Sequence, residues 1–70
     1  MPVESGLVGH PTFSPDARWL AFDKRADGVK PNIWLRDLRR GVSSRCTTAP
    51  EGDFAPLFSP DGEHLYFARE

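Results

Sequence analysis

The stretch His10-Pro11-Thr12-Phe13-Ser14-Pro15-Asp16-Ala17-Arg18-Trp19-Leu20-Ala21-Phe22-Asp23 returns 45 positions later as Ala55-Pro56-Leu57-Phe58-Ser59-Pro60-Asp61-Gly62-Glu63-His64-Leu65-Tyr66-Phe67-Ala68. Seven of the 14 aligned positions are identical, including the unbroken block Phe-Ser-Pro-Asp. An internal repeat of this length decides the architecture before any other feature. Each copy predicts a β-hairpin. In Ser59-Pro60-Asp61-Gly62 the serine can accept from nearby backbone N–H groups and Pro60 presets its own φ. Asp61 adds a local side-chain bond, and Gly62 takes the left-handed position. The first copy carries Ser14, Pro15 and Asp16 but ends in Ala17, at a cost of a few tenths to about 1 kcal/mol if that position needs φ > 0. After each turn, residues 19–22 and 65–68 are continuously apolar, which predicts strands buried on both faces.

Between the copies, residues 26–31 (Ala-Asp-Gly-Val-Lys-Pro) read as a loop and residues 32–38 (Asn-Ile-Trp-Leu-Arg-Asp-Leu) as a strand with apolar residues on both faces. Arg39-Arg40-Gly41 makes a turn. Residues 42–48 (Val-Ser-Ser-Arg-Cys-Thr-Thr) form a more polar strand suited to a sheet edge. The fold class is therefore all-β, with four antiparallel strands, a linker and two strands repeating the first pair. The boundaries are 1–9 for a lead-in, 10–48 for the four-stranded unit, 49–54 for the linker and 55–70 for the half unit.

The arrangement resembles a blade of the WD-like β-propeller repeat of the TolB type. Similar propellers are attached to some bacterial serine/threonine kinases and stand beside the hydrolase domain of prolyl-oligopeptidase-type enzymes. The Ser-Pro-Asp-Gly hairpin and its following strand carry the resemblance. So do Asp37 after the third strand and Pro11 and Pro56 at the start of each copy. Ala17 and Arg45-Cys46-Thr47 depart from the pattern. A 45-residue period suits four strands per blade, so the chain of 70 residues holds one blade and half of the next. Closed propellers need roughly four to eight. The expectation is a piece of a longer propeller, or else a subunit completed by further copies of itself. In a lone monomer Trp19, Phe22, Trp34 and Phe67 would be exposed.

Composition narrows the chemistry. One cysteine excludes an internal disulfide, and two histidines with it are too scattered for a zinc site. No apolar run approaches a membrane span, and no secretory leader opens the sequence. As the sequence stands this predicts a cytoplasmic protein without membrane contact, or a periplasmic one if the parent is TolB-like. Ser14, Ser43, Ser44 and Ser59 lack a Gly-x-Ser-x-Gly elbow, and His10 and His64 lie at no triad spacing, so no catalytic residue, cofactor or metal ligand is assigned. His10 and His64 read as surface or packing residues, Cys46 as a buried inert thiol, and Asp16, Asp53 and Asp61 as turn and linker aspartates. The residues given a structural role are Ser14, Pro15, Asp16, Ser59, Pro60, Asp61 and Gly62.

The net charge is −1, but residues 24–45 hold seven basic residues against Asp27 and Asp37. Arg36, Arg39 and Arg40, with Trp34 nearby, form a candidate interaction patch able to meet a phosphate backbone. Charge on outer strands also discourages edge pairing, and the acidic remainder disfavours nucleic acid. The function expected is a non-catalytic scaffold and protein-interaction surface. The alternatives are the accessory propeller of a prolyl-oligopeptidase-type serine hydrolase and, third, a weak nucleic-acid-binding patch. The expected partners are a protein or peptide on the propeller surface, or further blades and self-copies that complete the ring.

Overall fold

Two hairpins closed by the same turn organise the chain. The computed structural model describes residues 8–25 and 30–69. The first seven residues, the loop residues 26–29 and Glu70 lie outside it. The strands are β1 (Val8–Phe13), β2 (Trp19–Lys24), β3 (Asn32–Asp37), β4 (Val42–Arg45), β5 (Asp53–Phe58) and β6 (Leu65–Arg69). They form an antiparallel four-stranded sheet in the order β1-β2-β3-β4 and a two-stranded sheet of β5 and β6. No helix occurs among the described residues. This is an all-β incomplete propeller, one four-stranded blade followed by the first hairpin of the next.

The two turns are built alike, bond for bond. Ser14 Oγ donates to Asp16 Oδ1 at 2.6 Å and accepts from Trp19 N at 2.9 Å, while Arg18 N donates to Asp16 Oδ1 at 3.0 Å. In the second copy Ser59 Oγ donates to Asp61 Oδ1 at 2.5 Å and accepts from His64 N at 3.0 Å, and Glu63 N donates to Asp61 Oδ1 at 3.0 Å. Ala17 and Gly62 occupy the same left-handed position, with φ of 60° and 74°.

The copies also share a β-bulge. Pairing of β1 with β2 slips between Gly9 and Thr12, and pairing of β5 with β6 slips between Phe54 and Leu57. The extra residues, His10 and Ala55, have φ of 50° and 56°. Each precedes a proline, Pro11 or Pro56, whose missing N–H is harmless where the ladder is interrupted.

Leu20, Ala21 and Phe22 are consecutive and all buried, so both faces of β2 are covered. The expectation that Phe22 would be exposed in a single chain is thereby corrected, because its side chain has no accessible surface. It stands opposite Trp34 on β3, and Lys24 Nζ lies 4.8 Å from the centre of the Trp34 ring. Trp19 and Trp34 are half-buried. The second sheet packs on the first through β5, which meets β1, β2 and β3. Its own outer strand differs: Tyr66 is 59% exposed and Phe67 39%.

The β4 ladder stops at Arg45, short of Thr48. Cys46 N and Thr47 N both donate to Ile33 O, at 2.7 and 3.2 Å, which ends the regular pairing. Cys46 is consequently exposed, which corrects the reading of it as a buried thiol.

Candidate functional site

The antiparallel order sends the connections to two opposite ends of the sheets. The Ser-Pro-Asp turns and the β3–β4 turn share one end. There Pro15 Cδ would lie 3.4 Å from a Cβ at Gly62, and Leu38 N donates to Arg18 O at 2.9 Å. The β2–β3 and β4–β5 connections leave from the other end.

At the first end stand the residues of the expected patch. Arg39 and Arg40 are exposed, and their backbone N–H groups donate to Asp37 Oδ1 at 3.0 and 3.3 Å. Burial pushes the Asp37 carboxyl up, but those two donors and the nearby Arg18 charge outweigh it and hold the group below the usual range. Arg36 is turned to its own sheet, donating to Ser43 Oγ at 3.1 Å. Trp34, two positions before Arg36 on β3, is engaged with Lys24, whereas Arg39 and Arg40 lie in the turn beyond β3.

The opposite end carries the concavity. An open cleft of about 810 Å³ lies between the sheets, lined by His10, Asp23, Arg25, Lys30, Arg45 and Phe54. Pro31 and Pro50 add to its wall. Asp23 ties its floor. His10 Nδ1 donates to Asp23 Oδ2 at 2.8 Å, and Ala55 N, freed by the β5 bulge, donates to the same oxygen at 2.9 Å. One buried carboxylate thus joins the bulges of both copies. The close approach also explains Gly9, since a Cβ there would lie 2.7 Å from Asp23 Oδ1.

A second polar cluster anchors β5 beside the cleft. Asp53 is fully buried, and Arg69 Nε donates to its Oδ1 at 2.6 Å. The Arg69 hydrogen bond holds the Asp53 carboxyl below the usual range against the opposing effect of burial, with Thr47 and Asn32 assisting. Asp53 is therefore a structural strand residue, not a linker aspartate. Asn32 Nδ2 donates to Ala49 O at 3.0 Å, and Asn32 Oδ1 accepts from Arg45 Nη2. Arg45 Nε also donates to Thr47 O at 3.3 Å. The Arg45 guanidinium is thus oriented by two protein acceptors at the cleft wall.

Sequence reading missed Asp23 and the cleft, and it assigned Asp53 to the linker. A signal existed in the repeat. Asp23 and its cross-strand partner Gly9 stand where the second copy has Ala68 and Phe54, a paired small-for-large exchange. His64 is exposed and stacks on Tyr66 with ring centres 6.5 Å apart. The hydroxyls of Ser14 and Ser59 are taken by turn bonds. Among the described residues no group of three or more His, Cys, Asp or Glu side chains could hold a metal ion, and no helix is long and apolar enough to cross a membrane.

Over 55 residues the chain is 41% identical to the Tol-Pal system protein TolB of Alcanivorax borkumensis (strain ATCC 700651 / DSM 11573 / NCIMB 13689 / SK2), covering 79% of this chain and 13% of that protein. The chain is similar to TolB. Over 55 residues it is also 36% identical to the uncharacterized peptidase YuxL of Bacillus subtilis (strain 168), covering 79% of this chain and 8% of the relative. The chain thus spans about a tenth of the length of these curated relatives. No family model and no solved structure matches it.

Proposed function

We propose that the chain is a segment of a larger propeller built from WD-like repeats of the TolB type. In this reading it acts as a non-catalytic scaffold and presents an interaction surface to a protein or peptide. The observation that carries the reading is the outer edge of β6. Its counterpart β2 is covered on both sides by β1 and β3, with Phe22 fully buried. At β6 the equivalent residue Phe67 and its neighbour Tyr66 are exposed, which suits a strand awaiting a neighbour like β3. The similarity to TolB supports the same reading, and a TolB-like parent would place the protein in the periplasm.

The test is the encoded sequence on both sides of the segment. Further Ser-Pro-Asp-Gly units at steps of about 45 residues are expected, enough for roughly four to eight blades. Their absence, together with a stable monomer of the 70-residue chain in light scattering, would overturn the reading. The similarity to a peptidase favours one second reading, the accessory propeller of a prolyl-oligopeptidase-type serine hydrolase. A hydrolase domain encoded beside the segment would select it. In either case the segment itself is not catalytic, and a fluorophosphonate serine probe is expected to leave Ser14 and Ser59 unlabelled. Weak nucleic-acid binding by Arg36, Arg39 and Arg40 is the third reading; Arg39 and Arg40 are exposed, and Arg36 donates to Ser43 Oγ.

A further inference from the structure

We infer that the cleft between the two sheets is a binding site for an acidic peptide, an extended segment carrying carboxylates beside an apolar side chain. The inference rests on the interaction-surface reading and gives that surface a place and a partner chemistry. Arg25 and Lys30, from the β2–β3 connection, and Arg45, at the end of β4, line one cleft of about 810 Å³, a size that suits a small ligand or a few side chains. Their charge stands out because the whole chain carries −1. Among the described lining residues Asp23, which accepts from His10 and Ala55 N, is the acidic one, so three cationic side chains face one carboxylate there. Arg45 is held in place by Asn32 and Thr47 O, which reduces the ordering needed when a carboxylate arrives.

The remaining lining selects among anions. Phe54, Pro31 and Pro50 give the wall an apolar part that a bare phosphate cannot use. A nucleic-acid backbone gains affinity from many successive cations, and here Arg39 and Arg40 stand at the far end of the sheet. One or two carboxylates next to an aromatic or aliphatic side chain match both the number of charges and the apolar surface.

Fluorescence anisotropy on the full chain tests this with a labelled hexapeptide of alternating glutamate and phenylalanine. The glutamine-for-glutamate peptide is expected to bind roughly tenfold more weakly, and the affinity for the glutamate peptide is expected to fall as salt rises from about 20 to about 300 mM. Arg25→Glu is expected to weaken binding roughly tenfold, whereas the Arg39→Glu/Arg40→Glu pair should change it less than about twofold. The salt series on the unmutated chain keeps the test decisive if Arg25→Glu does not fold. Equal binding of the two peptides, indifference to salt, or tighter binding of an oligothymidylate strand would each overturn the inference. A negative result here leaves the flanking-sequence test of the propeller reading untouched.

Discussion

At the level of single residues, the sharpest contrast is between Ala17 and Gly62. Both hold the left-handed corner of the same hydrogen-bonded turn, and only glycine does so without Cβ strain. Ala17→Gly is expected to raise stability by about 0.5–1 kcal/mol, and Gly62→Ala to lower it by about 1 kcal/mol. Urea midpoints of the two variants would show opposite shifts; equal shifts would mean the turns are not equivalent. The turn was legible from sequence because its bonds are local. Ser14, Asp16 and Trp19 meet within six residues, so residue type and order suffice. The left-handed bulge at His10 and Ala55 was less so. Proline marked the place, but the conformation follows from how each strand pairs.

At the level of elements, β5 holds the assembly together. It carries Asp53 at its start and the bulge residue Ala55, and each bonds the neighbouring sheet: Asp53 N donates to Pro31 O at 2.8 Å and Ala55 N to Asp23. Asp53→Asn leaves the shape of the side chain but removes the charge that Arg69 meets. A loss of about 1–2 kcal/mol is expected by thermal or chemical melting. It should shrink when Arg69→Met is made in the same chain, since the pair is then lost only once. The strands after the two Ser-Pro-Asp turns and β3 were legible close to their bounds because apolar runs and turn residues bracket them. For β4 the sequence pattern extended too far. Its end is set by the Ile33 carbonyl capturing two successive N–H groups, and a β-branched run such as Thr47-Thr48 does not report that.

The whole molecule links these pieces to pH. Asp16 and Asp61 are held below the usual carboxyl range, first by the hydroxyls of Ser14 and Ser59 and then by backbone donors. Asp37 and Asp53 are lowered as well. In the unfolded chain these groups return to values near 4. Their contribution is therefore complete above that range and is lost as pH falls through the lower folded values. Stability measured by urea unfolding should hold down to about pH 5 and decline below about pH 4. An Asp16→Asn/Asp61→Asn variant should show a shallower decline.

The charge pattern shows where sequence reading stopped. A basic run over residues 24–45 was plain in the sequence, yet strand reversal divides it. Arg39 and Arg40 go to one end of the sheet, Arg25, Lys30 and Arg45 to the other. What the sequence by itself determined is the repeat, the hairpins and the all-β class. These follow from backbone preferences and hydrophobic pattern, which act over a few residues. Only the tertiary structure decided that Phe22 is covered, that Asp23 and Asp53 are buried, and that a basic cleft opens beside β5. Those facts depend on residues more than a dozen positions apart meeting across two sheets, and no local preference specifies such a meeting.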